Sequence, residues 1–370
     1  MTKPIIVLML KALEGRGAER MVTTLASAYI DINYSVHVLC LEDTQAMPLD
    51  SRVKYHLVPY YQIFTEAQLQ PNSEQAIAYE QVAKRIDDYV ISNIGIPDLI
   101  LANIYKINWI MAYSRLPNII NVLHTALSKQ FEFELLNDYT QTTEHLKMVY
   151  GAHPCSAVST GARRNLSALI GEATKTTTIY NPCDLVAIEK SAAQPFDIES
   201  FGLTAKSYII HVGSFDTMKN HHDLLLAYAQ TEYRYPLVLV GTGRLEAEIK
   251  QLAIELNIAD KVKFLGFQTN PYPLIAKAML LVLSSKFEGF GYVIVEAQAL
   301  NIAVISTDCP FGPRELLPEQ NLVPVGDIET LAELMVSALN YPERYITTFN
   351  PQLLPDKIAQ QYLQFGKIGH

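Results

Sequence analysis

The stretch MLLVLSSKFEGFGYVIVEAQALNIAVISTD, residues 279–308, decides the fold because it predicts a strand, a loop, a helix and a second strand in succession. The runs MLLVLSS and AVISTD are short and apolar, as buried strands are, and VIVEAQAL between them is predicted as a helix. Two strands joined through a helix run parallel in one sheet. The same stretch places Glu288 and Glu296 in apolar surroundings, where an unpaired carboxylate is costly to desolvate.

Short apolar runs alternate with longer amphipathic segments along all 370 residues, a length that favours two domains over one. This pattern is typical of an α/β fold with two Rossmann-like, doubly wound domains, in which ligands bind beyond the carboxyl ends of the strands. We predict domains over residues 1–180 and 181–350, followed by a C-terminal helix within 351–370. The Pro- and Ala-containing connector IYNPCDLVAIEKSAAQPFD (179–197) joins the domains, and two such domains face to face would enclose a ligand cleft.

The individual elements follow from the same pattern. Strands are predicted at residues 4–10, 35–41, 97–103, 118–124 and 154–159 in the first domain, and at 208–213, 236–241, 261–266, 279–285, 303–308 and 322–325 in the second. Helices are predicted at residues 19–32, 74–92, from 160 onward, and at 220–230, 244–257, 293–300, 328–340 and 355–365.

Composition narrows the class of protein. A net charge of −9 argues against a nucleic-acid binder, which needs a basic face to neutralise phosphates. The four cysteines lack metal-ligand or disulfide-framework spacing, which favours reduced cytosolic thiols. The start, MTKPIIVLMLKALEG, indicates a first buried strand rather than a signal-peptide core, and no apolar run reaches the length of a membrane span. We expect a cytoplasmic protein, with at most a peripheral contact on the inner face of the membrane.

The loop KFEGFG and the helix after it suggest a ligand site. Glu288 would lie at the carboxyl end of a strand, and Glu296 about one turn inside the helix. The amides of Tyr292 and Val293 at the helix start suit a phosphate, while the carboxylates suit sugar hydroxyls. The alternative is a solvated loop glutamate together with a helix glutamate that is paired with a basic residue.

Motifs along most of the chain resemble those of glycosyltransferase family 4, the retaining GT-B enzymes. FEGFGYVIVEAQAL carries the E-x7-E signature, and HVGSFDTMKNHHDLLLAYA and LVLVGTGRLEAEI resemble the donor domain. GRGAER, NVLH and IYNPCD resemble, more loosely, the N-terminal glycine loop, the first-domain His strand and the linker. The resemblance implies a GT-B fold, with two Rossmann-like domains that face an interdomain cleft and a C-terminal helix that crosses back to the first domain.

The resemblance also implies an activity. The protein would be a hexosyltransferase that moves a hexose or N-acetylhexosamine from a nucleotide sugar to a hydroxyl of a glycan or lipid-linked saccharide, with retention of configuration. The stretch TDCPFGPREL (307–316) is similar to stretches in members that use UDP-sugars to build bacterial surface glycans such as lipopolysaccharide. The sugar, the acceptor, the linkage and the oligomeric state stay open.

Roles for single residues come from the same resemblance. Glu288 would hold hydroxyls of the donor sugar, Lys219 would neutralise the diphosphate, and Glu296 would bind the ribose. His124 would lie near the reacting carbon, although a lone histidine at a strand end is more often a structural residue. The glycine loop and the donor loops would complete the binding set, which comprises Gly15, Gly17, Gly213, Ser214, Gly289, Phe290, Gly291, Tyr292 and Val293.

The sequence departs from the family pattern after Gly213. Ser214 stands where many members have an arginine, so one cation for the leaving phosphate is missing. Arg244 or Arg314 would substitute for it, and the sequence does not choose between them. Arg314 could equally pair with Glu315.

Little in the sequence favours a metal site or a bound cofactor. No Asp-x-Asp occurs and His221–His222 cannot face one ion, so we expect no metal and no cofactor besides the nucleotide-sugar donor. NAD binding is a weak alternative, because GRGAER lacks the third glycine of the dinucleotide motif. A UDP-sugar epimerase of the same fold and a non-catalytic partner subunit of a transferase remain alternatives.

Overall fold

A computed structural model of the chain describes residues 3–15, 17–59, 73–231 and 234–367. Contacts between residues divide the chain into two compact units. The first unit comprises Met1–Pro182 together with Gln352–His370, and the second comprises Cys183–Pro351.

Within the described residues, each unit contains one parallel sheet, of seven strands in the first unit and six in the second. The strands of the first unit are β1 (Ile5–Leu10), β2 (Ser35–Cys40), β3 (Lys54–Leu57), β4 (Leu99–Asn103), β5 (Ile119–Leu123), β6 (Cys155–Ala157) and β7 (Thr176–Thr178). The strands of the second unit are β8 (Ile209–Val212), β9 (Leu237–Val240), β10 (Val262–Phe264), β11 (Leu280–Leu283), β12 (Ala303–Thr307) and β13 (Leu322–Val323).

Helices connect these strands. The first unit begins with α1 (Gly17–Asp31), α2 (Ser73–Asn93), α3 (Tyr105–Met111), α4 (Leu127–Gln130), α5 (Glu132–Asn137), α6 (Tyr139–Gly151) and α7 (Thr160–Ile170). The second unit contains α8 (Leu185–Ala192), α9 (His221–Tyr228), α10 (Glu246–Glu255), α11 (Tyr272–Lys277), α12 (Tyr292–Ala299), α13 (Pro313–Leu316) and α14 (Ile328–Asn340), and α15 (Pro355–Lys367) belongs again to the first.

The order of strands reverses once in each sheet. The first sheet runs β3-β2-β1-β4-β5-β6-β7 and the second β10-β9-β8-β11-β12-β13. The chain therefore leaves in opposite directions from β1 and β4, and from β8 and β11. In doubly wound sheets such a switch point opens a crevice at the carboxyl ends of the two strands. The prediction of two Rossmann-like domains is confirmed.

The strands are apolar on both faces because helices cover both faces. In β11, Leu280 and Val282 pack into one buried cluster of the second unit, while Leu281 and Leu283 pack into the other. This alternation is the period of two that a strand imposes on its side chains. It explains why buried parallel strands appear in the sequence as continuous apolar runs.

The last helix, α15, packs on the first unit. Ile358, Ala359 and Tyr362 are fully buried. The Tyr29 hydroxyl of α1 donates to the carbonyl of Ala359 at 3.4 Å, and the Ser156 hydroxyl donates to that of Tyr362 at 3.3 Å. Contacts made by residues far apart in sequence thus attach the end of the chain to the unit in which it began.

The connector over 179–197 contains a helix that the sequence pattern did not indicate, α8. Asp184 caps this helix by accepting a hydrogen bond from the Ala187 amide at 2.9 Å, and Ile188 is buried. The pattern also missed β3, β7, α3 to α6, α11 and α13, which are short or carry too few apolar residues for a clear period.

Candidate active site at the carboxyl edge of the second sheet

A buried ion pair lies at the switch point of the second sheet. Lys219 follows β8 and Glu288 follows β11, two strands that are neighbours in the sheet. The Lys219 Nζ lies 2.5 Å from the Glu288 Oε1, and their side chains are 16% and 8% exposed. Residues 69 positions apart in sequence are thus brought together where doubly wound sheets bind their ligands.

Glu288 is held on one oxygen. The Ser285 hydroxyl donates to the same Oε1 at 2.6 Å, so this oxygen accepts from two donors. The hydroxyl of Thr307, on the neighbouring strand β12, in turn donates to the Ser285 carbonyl at 2.6 Å. The alternative of a solvated loop glutamate is therefore wrong, since Glu288 is only 6% exposed.

The loop that carries Lys219 is fixed by its own polar groups. Asp216 accepts hydrogen bonds from the amides of Met218 and Lys219, both at 3.0 Å, through one carboxylate oxygen. Its other oxygen accepts from the Ser214 hydroxyl at 2.6 Å. The Ser284 hydroxyl donates to the Lys219 carbonyl at 2.9 Å. Ser214 therefore stabilises the loop and brings no positive charge to the site.

Glycines let the loops of this edge approach one another. A Cβ on Gly213 would lie 3.2 Å from both the Lys219 Cγ and the His211 Nε2. Gly241 has φ +142°, and a Cβ there would lie 2.0 Å from the Gly213 carbonyl oxygen. A Cβ on Gly243 would lie 2.5 Å from the Phe215 carbonyl oxygen. The loops after β8 and β9 thus pack backbone against backbone.

Between the two glutamates, the loop turns into α12 at one glycine, Gly291, and packs closely against a second glycine, Gly312, from the segment after β12. Gly289 is half-buried and Phe290 is buried. Gly291 has φ +96° directly before the helix, and a Cβ on Gly312 would lie 2.2 Å from the Phe290 carbonyl oxygen. Tyr292, the first residue of the helix, therefore lies at a closely packed corner of the sheet edge.

The first turn of α12 offers hydrogen-bond donors, whereas the Glu296 side chain further along the helix is an acceptor. Tyr292 and Val293 are the first two helical residues, and amides of a first turn have no acceptor within their helix. Glu296 is 3% exposed and accepts a hydrogen bond from the Tyr272 hydroxyl at 3.1 Å. Tyr272, at the start of α11, carried no signal in the sequence and is an addition to the predicted set.

The two candidate cations differ in their surroundings. Arg314 pairs with Asp308 through its Nε and Nη2, a partner that the sequence did not indicate. Arg244 is exposed on the turn after β9, directly after Gly243, and makes no hydrogen bond or ion pair within the described parts of the chain. Of the two candidates, Arg244 is therefore the one without a charged partner in the described residues.

A buried pair of histidines lies beneath the lysine loop. The His211 Nδ1 donates to the Val282 carbonyl at 2.8 Å, and His221 stacks on Phe215 with ring centroids 4.1 Å apart. Burial lowers the pKa of His211 to about 4 and that of His221 to about 2. Both rings are therefore neutral at pH 7 and support the loop without adding charge.

In the first unit, the predicted residues lie at the carboxyl edge of its sheet. Gly15, with φ +97°, follows β1, and Gly17 is the first residue of α1. His124 follows β5, and its Nε2 lies 2.9 Å from the Oδ1 of Asn103, the last residue of β4. Asn103 is fully buried and was not singled out by sequence, because nothing local marks a buried asparagine as a partner of a distant histidine.

The described residues contain neither a metal-ligand cluster nor a helix suited to a membrane. No group of three or more His, Cys, Asp or Glu side chains in that part of the chain is placed to hold a metal ion. No described helix combines the length and the apolar character that crossing a bilayer requires.

Comparisons with known proteins place the second unit in a family. Residues 193–346 match the family described as glycosyl transferases group 1. Over 138 residues, 37% of this chain, the sequence is 41% identical to N-acetylgalactosamine-N,N'-diacetylbacillosaminyl-diphospho-undecaprenol 4-alpha-N-acetylgalactosaminyltransferase of Campylobacter jejuni. Over 200 residues, 52% of this chain, it is 30% identical to the lipopolysaccharide 1,6-galactosyltransferase of Escherichia coli. The matches span 36% and 54% of these relatives' own lengths.

A solved structure extends the likeness to the whole chain. Anabaena HepE in complex with UDP has a TM-score of 0.72 and 22% identity, over 98% of this chain and 95% of that one. This likeness shows a common fold, and with the two Rossmann-like units it confirms the prediction of a GT-B protein. The predicted resemblance is likewise confirmed: the second unit of the chain is a glycosyltransferase domain of the group 1 family.

Proposed function

We propose that the protein transfers a hexose or N-acetylhexosamine from a UDP-sugar to a hydroxyl of a glycan or lipid-linked saccharide, with retention of configuration. The observation that carries the proposal is the buried Lys219–Glu288 pair at the switch point of a group 1 glycosyltransferase domain. A UDP complex among the structural relatives supports the choice of nucleotide. Relatives named for N-acetylgalactosaminyl and lipopolysaccharide galactosyl transfer support a surface-glycan product.

In this proposal the ion pair opens when the donor binds. The Lys219 ammonium turns from the Glu288 carboxylate to the diphosphate, whose charge it neutralises. Glu288 keeps the hydrogen bond from Ser285 on Oε1 and accepts hydrogen bonds from hydroxyls of the donor sugar through Oε2. Lys219 thus exchanges the carboxylate for the diphosphate, and Glu288 replaces the ammonium with hydroxyl donors, so both buried charges keep polar partners when the pair opens.

The nucleotide lies along α12 in the same proposal. Amides at the start of the helix donate to the diphosphate, where the helix dipole also favours negative charge. Glu296, one turn further in, accepts the ribose hydroxyls in the place where Tyr272 now donates to it. Preorganised donors of this kind stabilise a leaving phosphate by about 3 kcal/mol each.

The chemical step then needs no further base. The bond between the anomeric carbon and the diphosphate oxygen breaks, and the acceptor oxygen bonds to the same face of that carbon. The acceptor's proton passes to the departing phosphate oxygen. Lys219 and the amides of α12 stabilise the negative charge on the diphosphate as it leaves, so no metal is required in the proposal. Transfer would take place on the cytoplasmic side, with the protein at most peripherally bound to the membrane.

Purified protein would be tested with UDP-glucose, UDP-galactose, UDP-N-acetylglucosamine and UDP-N-acetylgalactosamine by thermal shift and then by sugar release with candidate acceptors. One of these donors should stabilise the protein by about 3 kcal/mol at 100 times its Kd. Glu288→Gln should abolish transfer, whereas Glu248→Gln, at an exposed position of α10, should not. Lack of any donor binding, or native turnover by Glu288→Gln, would overturn the proposal. Conversion of a donor to another UDP-sugar without acceptor would support the epimerase alternative instead.

A further inference from the structure

The side chain of Asn103 has only one orientation available to it. Asn103 is fully buried at the end of β4, beside β1 at the switch point of the first sheet. Its Nδ2 donates to the carbonyls of Met9, at 3.1 Å, and Leu101, at 3.0 Å. Both acceptors are backbone oxygens, so the amide nitrogen must face them and the amide oxygen must face away.

That oxygen fixes the proton on His124. The Oδ1 of Asn103 lies 2.9 Å from the His124 Nε2, and an amide oxygen only accepts hydrogen bonds. Nε2 therefore carries the hydrogen. Burial, with no contribution from a charged neighbour, lowers the pKa of His124 to about 4, so the ring is neutral at pH 7. The other nitrogen, Nδ1, is then an unprotonated acceptor, and it has no partner within the described residues.

The backbone next to Asn103 is strained. Ile104 has φ +66° and ψ 151°, a conformation that is rare for any residue with a side chain and rarer for a β-branched one. Such a residue persists only where its surroundings over-determine it, and strain of this kind clusters at functional sites. Ile104 also lines a cavity of about 200 Å³ together with Lys11 and Glu19. The strain thus falls on the residue that links a fixed asparagine to the wall of a cavity.

We propose that Asn103 is a positioning residue that holds His124 in the Nε2-protonated tautomer, so that Nδ1 accepts a hydrogen bond from a sugar hydroxyl of a substrate. This role rests on the proposed glycosyl transfer. In it, His124 acts as a hydrogen-bond acceptor that orients a hydroxyl, and it does not donate a proton to the leaving group.

The tautomer can be measured directly. Long-range ¹H–¹⁵N correlation spectra of the ¹⁵N-histidine-labelled full chain, with His124 assigned by its loss in His124→Gln, should show a protonated Nε2 and an unprotonated Nδ1. A protonated Nδ1, or a mixture of tautomers, would overturn the inference. This measurement needs no substrate, so its result stands whether or not transfer is detected. If the protein transferred sugar with the other tautomer present, the inference about Asn103 would be wrong and the proposed function would still hold.

Kinetics separate a positioning role from a structural one. Asn103→Ala should lower kcat/KM about tenfold and give a mixture of tautomers. Asn103→Asp should bring an acid-side loss of activity into the range near pH 6 to 7, because a carboxylate beside Nε2 favours the imidazolium. Asn121→Ala removes another fully buried asparagine, on β5, which donates to the Val149 carbonyl. This control should leave the tautomer and the pH profile of activity unchanged. If Asn121→Ala changed the tautomer and the pH profile of activity as much as the Asn103 variants do, Asn103 would be only structural.

Discussion

At the scale of the residue, the Lys219–Glu288 pair joins stability to function. Its charges are largely withdrawn from water, so each depends on the other and on Ser285. Removal of one partner from a buried pair is far more damaging than replacement of both. In the proposed function the pair also opens when the donor binds.

Lys219→Ala should lower the free energy of unfolding by about 3 kcal/mol, because it leaves the Glu288 carboxylate buried with one neutral donor. Adding Glu288→Gln should recover most of this loss, because the amide carries no charge. Urea unfolding of the two single variants and the double variant forms a thermodynamic cycle. Additive losses would show that the two side chains do not depend on each other.

Arg244→Ala should weaken binding of UDP about tenfold, as expected for one charge-assisted hydrogen bond of about 1.5 kcal/mol. Arg314→Ala is the matched control, because its guanidinium is already neutralised by Asp308, and should change the Kd less than twofold. Calorimetric titration with UDP measures both. The reverse order of effects would assign the missing cation to Arg314.

At the scale of the element, the second sheet depends on close approach of the loops after β8 and β9. A glycine at the start of the second loop makes this possible, since its position excludes any side chain. Such a contact lies between backbones, which cannot rearrange as side chains can.

Gly241→Ala should therefore destabilise the second unit by more than about 3 kcal/mol, because a Cβ would collide with the Gly213 carbonyl and the φ of +142° disfavours alanine. Gly202→Ala is the control: it has φ +69° but open space around it, and should cost about 1 kcal/mol. Urea unfolding compares them. Equal losses would mean that backbone conformation alone, and no collision, sets the cost.

The edge of the first sheet depends on neutral histidines. His37 of β2 and His56 of β3 stack and share a hydrogen bond of 2.9 Å, and His56 also bonds the Tyr89 hydroxyl of α2 at 3.0 Å. Burial, and then the positive charge of Lys54, lower the pKa of His37 to about 4, and the same causes lower that of His56. These three hydrogen-bonded side chains join β2 and β3, at one edge of the sheet, to α2.

Stability should accordingly fall in acid. Above the ordinary histidine pKa of about 6.5 the folded and unfolded states bind the same number of protons, and below it only the unfolded state takes one up. His37 alone should remove up to about 3 kcal/mol as the pH falls from 7 to 4. In His37→Gln the stability deficit measured by urea at pH 7 should shrink at pH 5. A deficit independent of pH would contradict the assignment.

At the scale of the whole molecule, each unit has buried clusters of its own. The second unit has one cluster on each face of its sheet, and the first unit is completed by the helix at the other end of the chain. The groups proposed to hold UDP lie in the second unit. Stability of the two units should therefore respond to different changes.

Unfolding of the full chain should show two transitions, and UDP should raise only that of the second unit. Tyr362→Ala leaves a cavity where a fully buried side chain of α15 packs on the first unit. It should lower the free energy of unfolding of the first unit alone, by about 3 to 5 kcal/mol. Calorimetry of the native chain and this variant, with and without UDP, checks both. A shift of both transitions by UDP would contradict the prediction.

Much of the fold followed from local pattern. The strands of the second unit lie within the predicted runs, and α14 has the predicted bounds, because apolar periodicity is a property of adjacent residues. The sequence pattern did not predict α8 or β7. Helix α8 is stabilised by a cap and one buried side chain, and β7 consists of three threonines paired to β6. Pairing with a neighbour, and no pattern of its own, makes β7 a strand.

The site shows the same division. The glycine-rich loop and the two carboxylates Glu288 and Glu296 indicated, from the sequence alone, a site for a phosphate and sugar hydroxyls, because the chemistry of these residue types does not depend on distant partners. The hydrogen-bond partners of these side chains could not be predicted from the sequence. The contacts of Ser285 with Glu288, of Asp308 with Arg314 and of Asn103 with His124 depend on which strands are neighbours.

The sequence by itself determined the two α/β units, the group 1 family of the second and the residue types of the proposed donor site. Only the tertiary structure decided which charges are paired, which cation is available and which tautomer His124 adopts. The physical reason is that periodicity and motifs are set within a few residues of chain. Hydrogen bonds between neighbouring strands are set by sheet order and register, which join residues tens of positions apart.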